Sequence, residues 1–444
     1  MVKVGMISLG CSKNQVDAER MMATLRQEGF ELCADPARCQ VVVVNTCGFI
    51  EDAKRESIEA ILAEARRKGE GSLQCVVVTG CLAERYREEL AAEMPEADVV
   101  LGIGCNGDIA GAIHRALSGE RVVEFGEKGA LSLEGDRVLA NPPYFAYVKV
   151  AEGCDNRCSY CAIPLIRGGF RSRTMEHILE EVEQLAARGV REVNLVAQDT
   201  SRYGLDLYGE YKLPELIRRV CRVEGVHWVR VLYCYPDRIT DELIRTMAQE
   251  PKVCKYMDIP VQHGSAKVLR EMNRTGSAET ILEVVRRIRE GMPGAVVRTT
   301  MIAGFPGETE EDFGELCRLV EEARFDRLGC FAYSQEEGTP AGEREDQLDP
   351  ELRRRRADLI MERQMDIAFA FAESCVGRCL EVLVEGKRGR RYYGRSYMDA
   401  PDIDTRVYFT SEEALAPGDF VWVDITGAQE YDLTGKARNK GETP

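Results

Sequence analysis

Apolar and polar positions alternate in two rhythms along the first third of the chain. Short apolar runs at Val2 to Leu9, Gln40 to Val44, Cys75 to Val78 and Val99 to Leu101 read as buried strands. The stretches between them carry helical spacing. Asn14 to Glu28 repeats through Val16, Met21, Met22 and Leu25, and Ala53 to Lys68 through Ile58, Ile61, Leu62 and Ala65. Ala83 to Glu93 and Asp108 to Leu117 continue the series. Strands alternating with helices predict a parallel, doubly wound sheet over 1–118. Ser118 to Asn141 reads as a connection, and Asn141-Pro142-Pro143 breaks both helix and strand.

A second alternating region follows, at 140–372. Its candidate strands are Tyr144 to Val150, Glu192 to Val196, Trp228 to Leu232, Lys255 to Ile259, Val296 to Ile302 and Arg327 to Tyr333. Helical stretches such as His177 to Arg188, Ala278 to Glu290 and Glu310 to Glu322 fit between them, so six βα units predict a partial (βα)6 barrel. Pro350 to Ser374 reads as one long charged helix. The tail, 373–441, changes to short strand-like runs with turns between, as in a small all-β barrel of about five strands.

Composition narrows the function classes. The 444 residues are 44% hydrophobic and 30% charged, ordinary globular usage, and the net charge of −16 argues against a generally basic, phosphate-gripping protein. No apolar run approaches the roughly 20 residues that cross a bilayer. The first ten residues read as a strand rather than a signal peptide. The expectation is a cytoplasmic protein without a membrane partner. In a reducing compartment, seventeen cysteines point to metal or redox chemistry rather than disulfides.

Two sets of cysteines stand out. Cys154, Cys158 and Cys161 give the spacing C-x3-C-x2-C in the loop after the first barrel strand. A short loop can bend three thiolates toward one point. Three ligands are too few for a closed zinc site, whereas a 4Fe-4S cube held by three keeps one iron open for a ligand. Three buried thiols, or a zinc knuckle, are the alternatives. The second set is Cys11, Cys47 and Cys81, 36 and 34 residues apart, each just after a predicted strand. In a parallel sheet such loops emerge on one edge, so three distant thiols are expected to converge, unless the spacing is coincidental. Cys33, Cys39, Cys75 and Cys105 do not share this phase and read as structural. Gln198-Asp199-Thr200, Gln262-His263-Gly264 and Gly304-Phe305-Pro306-Gly307-Glu308-Thr309 close other barrel strands, where barrel enzymes bind ligands. His263 receives no proton-transfer role.

The C-x3-C-x2-C motif resembles the signature of the radical SAM superfamily. Nearly the whole chain resembles the methylthiotransferases of that superfamily, with the tail similar to a TRAM module. The resemblance implies two 4Fe-4S clusters, on Cys154, Cys158 and Cys161 and on Cys11, Cys47 and Cys81, together with S-adenosylmethionine. Tyr160, Gln198, Gly304 and Glu308 are the implied cofactor-binding residues, with no catalytic residue certain beyond the cluster ligands. The implied net reaction turns C–H into C–SCH3. Leu195 to Gly204 and Tyr397 to Asp404 resemble the branch called RimO, which acts on the β-carbon of an aspartate in small-subunit ribosomal protein twelve. The alternative branch acts on a modified tRNA adenosine near the anticodon and typically has Gln-Asn-Val where this chain has Gln198-Asp199-Thr200. A cluster-bearing electron carrier or RNA-binding adaptor without catalysis is a third reading, disfavoured by two open triads. The implied partners are that ribosomal protein, on or near the ribosome, and an electron donor such as flavodoxin or ferredoxin. From Arg378 onward the tail has ten Lys and Arg against twelve Asp and Glu, which suits a basic protein better than RNA. Lys387, Arg388, Arg390, Arg391 and Arg395 form a local basic hairpin, read as a solvated turn or a contact to ribosomal RNA.

Overall fold

The computed structural model describes residues 1–439, so residues 440 and 441 of the expected tail domain lie outside the described chain. The first domain is a parallel sheet of six strands in the order Glu31–Leu32, Lys3–Ser8, Val41–Thr46, Cys75–Gly80, Val99–Leu101, Val122–Glu124. Val41 to Val44 are all buried because helices cover both faces. Val41 and Val43 pack with Met21, Leu25, Ile109 and Ile113, while Val42 and Val44 pack with Ile61, Leu82 and Leu90. The sheet is therefore doubly wound, with two more strands than the four expected. Glu31–Leu32 and Val122–Glu124 have two and three residues, too short for any alternation to register. The second of these falls in the stretch read as a connection.

The central domain holds six parallel strands in two sets of three. Phe145–Lys149, Glu192–Val196 and Trp228–Val231 form one set, and Tyr256–Asp258, Val296–Ala303 and Arg327–Ala332 the other. A single parallel bridge between Val229 and Val253 joins the arcs into a partial barrel. The long helix Pro350–Ser374 packs on its last strands. The tail is a closed five-stranded barrel, sealed by the parallel pairing of Val407–Thr410 with Asp432–Ala437. Among the described residues no helix is long and apolar enough to cross a membrane.

Buried charge ties the domains together. Arg395 does not belong to an exposed basic hairpin. It is 2% exposed and pairs with Glu385 at 2.7 Å and with Glu192 of the central barrel at 2.6 Å. Glu192 also takes Arg230 at 3.0 Å, so the tail arginine completes a buried Arg–Glu–Arg triad. A second knot joins the first two domains. Arg137 pairs with Glu19 at 2.5 Å and with Glu181, which also takes Arg173 at 2.6 Å and Arg20 at 3.4 Å. Burial pushes the Glu181 carboxyl up, but Arg137, Arg173 and Arg20 outweigh it and hold it down at about 2. A carboxylate held below its unfolded value contributes stability above about pH 4.5 and loses it as pH falls toward 2. Glu181→Gln removes the charge that three buried guanidinium groups share, leaving Arg137 with Glu19, Arg173 with Glu134 and, among the described residues, Arg20 with no carboxylate, and is expected to cost about 3 kcal/mol near neutral pH. The gap in melting temperature between wild type and variant should narrow below about pH 4.5. A gap constant with pH would refute this account of Glu181.

Candidate active site

The N-terminal sheet has a reversal of strand order between Lys3–Ser8 and Val41–Thr46, where open α/β sheets form a crevice at their carboxyl edge. Cys11 follows the first of these strands and Cys47 the second. Cys81 opens the helix Cys81–Glu93 after the next strand, Cys75–Gly80. The loops approach closely. Gly10 has φ +88°, and a Cβ there would lie 2.8 Å from the Cys47 sulfur. Gly80, before Cys81, has φ +96°, and a Cβ there would lie 2.5 Å from the Thr46 carbonyl oxygen. Asn14 ties the loops by donating to the Leu9 carbonyl at 2.8 Å and the Thr46 carbonyl at 3.2 Å. Cys75 begins the strand that ends at Gly80, just before Cys81, so it lies at the opposite edge of the sheet.

The three thiols feel one another. Burial first, then the neighbouring Cys81, pushes Cys47 up to about 12. Burial also raises Cys81, against the pull of Arg167. Cys11 opens on a cavity of about 390 Å³ lined also by Gln15, Asn141, Phe145 and Asp402. The dense protein behind it disfavours its thiolate, but Lys13, Arg167 and the amides of Asn14 and Lys13 prevail and lower its pKa.

The second set sits in the loop after Phe145–Lys149 and Ala151–Glu152. The Cys154 amide donates to the Gly168 carbonyl at 3.1 Å, and the Cys161 amide donates to the Cys158 carbonyl at 3.0 Å. The Cys158 sulfur lies 2.7 Å from the Tyr235 hydroxyl. Arg274 stacks 4.1 Å over the Tyr235 ring and reaches the Tyr160 hydroxyl at 3.4 Å. Burial first, with Cys158 adding to it, pushes Cys154 up to about 11 and raises Cys161 further. Among the described residues no three ligating side chains are drawn into a formed metal-binding group. Cys47, Cys81, Cys154 and Cys161 are each raised by burial and by a neighbouring cysteine of their own set, which suits thiols that ionise as they bind a cation.

The other predicted residues divide by what surrounds them. Tyr160 packs beside Phe305 and Tyr333, which places the loop starting at Gly304 next to the second triad. Gln198 donates to Glu152 at 3.1 Å, while its side-chain oxygen is buried without a partner. An orphaned acceptor in such a place suits a ligand with N–H or O–H groups. Gly304 has φ +79° and sits against Arg353, so glycine serves the packing of its loop. Glu308 is fully buried and engaged by its own chain. It accepts from the Gly304 amide at 2.7 Å and the Phe305 amide at 3.1 Å, and it pairs with Arg356 at 2.8 Å. It therefore shapes the loop. Both ring nitrogens of His263 are taken, by Glu308 and the Ser265 amide.

The first triad touches the segment that follows the second across the domain boundary. Cys81 forms an apolar cluster with Ala162 and Ile166, and Ala162 directly follows Cys161. Arg167, from the same short helix Ile163–Arg167, donates to the Cys81 sulfur at 3.2 Å and to Asn14 at 2.9 Å. Its other nitrogen pairs with Asp17 at 2.5 Å, and Asp17 takes Lys149 at 2.6 Å. Lys149 pairs in turn with Glu152, the partner of Gln198. One buried chain of charges thus runs from the first triad to the barrel mouth. Sequence reasoning missed Arg167, Asn14, Asp17, Lys149, Tyr235 and Arg274. The available signal was proximity to the motifs: Asn14 lies three residues past Cys11 and Arg167 six past Cys161.

Three family matches cover the chain: an uncharacterized protein family, UPF0004, over residues 3–102, the radical SAM superfamily over 148–320, and the TRAM domain over 376–437. Curated relatives match nearly end to end. Ribosomal protein uS12 methylthiotransferase RimO of Pelotomaculum thermopropionicum is 51% identical, covering 98% of this chain and 99% of the relative. The protein of that name from Desulfitobacterium hafniense is 49% identical, with 98% of each covered. The one from Thermoanaerobacter sp. is 47% identical, with 98% and 100% covered. Among solved structures, the radical S-adenosylmethionine methyltransferase TsrM of Kitasatospora setae superposes with a TM-score of 0.57. It is 17% identical over 77% of each chain, a likeness of fold.

Proposed function

The chain belongs to the ribosomal protein uS12 methylthiotransferase family, RimO, and from that membership we infer that it converts C–H to C–SCH3 on uS12, at the β-carbon of one aspartate. The curated relatives favour this reading over a tRNA substrate. Membership in the radical SAM superfamily implies a 4Fe-4S cluster and S-adenosylmethionine, which when bound supply one-electron cleavage of the sulfonium.

Cys154, Cys158 and Cys161 would hold that cluster, with Tyr160 beside the adenine and Gln198 offering its unpaired oxygen to the ligand. The loop that Glu308 clamps onto Gly304 and Phe305 backs Tyr160. Cys11, Cys47 and Cys81 would hold a second 4Fe-4S cluster that carries the sulfur. Arg167 fixes the Cys81 sulfur from the other triad's helix, and the Asp17–Lys149–Glu152 chain keeps that junction closed to water. The observation that carries this reading is the packing of Cys81 on Ala162, which puts the two thiol sets on one interface. An external donor of the flavodoxin or ferredoxin kind supplies electrons. Lys387, Arg388, Arg390 and Arg391 remain as a tail edge that meets ribosomal RNA near the target.

Mass spectrometry of ribosomal proteins and tRNA from cells with and without the gene tests this function. One methylthio group should vanish from uS12 in the deletion strain, with tRNA nucleosides unchanged. A methylthio group lost from a tRNA adenosine instead would move the protein to the other branch.

A further inference from the structure

Lys13 lies two residues past Cys11, in the first turn of the helix Ser12–Gln27, and is 7% exposed. Its ammonium sits 3.5 Å over the centre of the Tyr233 ring, which projects from the end of the barrel strand Trp228–Val231. Among the described residues it has no carboxylate within ion-pair distance; its partners are the Tyr233 side chain and, at longer range, the Cys11 and Asp258 charges. The carboxylates around it are already engaged. Asp258 accepts from the Tyr233 amide and from Arg298, both at 2.9 Å. Asp17 is shared by Lys149 and Arg167, and Glu152 is held by Lys149. A buried ammonium with three donors, one tyrosine side chain as its near partner and no carboxylate paired with it has donors to spare for an arriving acceptor.

We propose that Lys13 binds the side-chain carboxylate of the aspartate being modified. The inference rests on the reading of uS12 as substrate. The carboxylate carbon is bonded directly to the β-carbon, so an ammonium two residues from Cys11 holds the reacting carbon beside the sulfur-bearing triad. The same contact sets specificity: asparagine or a nucleobase presents no carboxylate to the amine. Tyr233 supports the amine from the barrel side, so the anchor forms only where two domains close on each other.

The test uses cluster-loaded enzyme and the target segment of uS12 with either aspartate or asparagine at the modified position. Wild type should bind the aspartate form about tenfold or more tighter, the usual worth of a charge-assisted contact. Lys13→Met should bind both forms alike, at the level of wild type with asparagine, and Lys13→Arg should restore part of the preference. Iron content and the cluster spectra should match wild type in both variants. A Lys13→Met enzyme that still prefers aspartate overturns the proposal. So does one that loses iron or changes its spectra while keeping the preference, since Lys13 would then serve the cluster. In either case a wild type that modifies uS12 leaves the proposed function standing, whereas a wild type that modifies no aspartate ends both.

Discussion

Cys158→Ala is expected to reduce the cleavage of S-adenosylmethionine to 5′-deoxyadenosine to background. Three thiolates are the fewest that hold a cube with one corner open, and two do not suffice. Cys158 is the buried member of its set, with the Tyr235 hydroxyl at 2.7 Å and the Arg274 guanidinium nearby. Alanine leaves both polar groups facing an empty place, so no other side chain substitutes for the sulfur. Chromatography of 5′-deoxyadenosine after chemical reduction, beside an iron assay, reads the result. Iron should fall by about half if, as proposed, the chain carries two clusters and this residue holds one of them. Cleavage at the wild-type rate would remove the triad from the mechanism.

Cys81→Ala should give a different loss. Cleavage of S-adenosylmethionine should persist in part, methylthio transfer to uS12 should fall to background, and iron should again fall by about half. The partial persistence has a structural reason. Cys81 touches the helix that follows Cys161, and Arg167 loses its sulfur partner but keeps Asp17 and Asn14. The central loop is therefore loosened without being dismantled. Methylthio transfer by both variants would end the division of labour between the triads.

The cysteines were legible in the sequence because their logic is local. Cys154 to Cys161 spans one loop, and Cys11, Cys47 and Cys81 each follow an apolar run that announces a strand. The charged residues that organise the site were not. Asp17, Lys149, Glu152 and Arg167 look like surface residues in a linear pattern, since long charged side chains are mostly exposed. Only the docking of one domain on another shows that each is buried and paired. Arg395 misled for the same reason: it sits in a run of basic residues, yet its strand position turns it inward toward Glu192. The strands Glu31–Leu32 and Val122–Glu124 escaped because a few residues at a sheet edge carry no period. Gln198 and Tyr160 were singled out by the family resemblance, and their places, after a strand and beside the cysteine motif, put them near the second triad. Glu308 was singled out in the same way, and its carboxylate is consumed by its own loop and by Arg356.

The placement of Arg395 limits how the chain can be recombined. A chimera that grafts a foreign tail onto this catalytic unit needs a guanidinium where Arg395 stands. Without it Glu192 loses one of its two arginines in the barrel floor, and the graft fails through instability rather than through loss of recognition. Tail swaps meant to redirect substrate choice are interpretable only when that arginine travels with the graft.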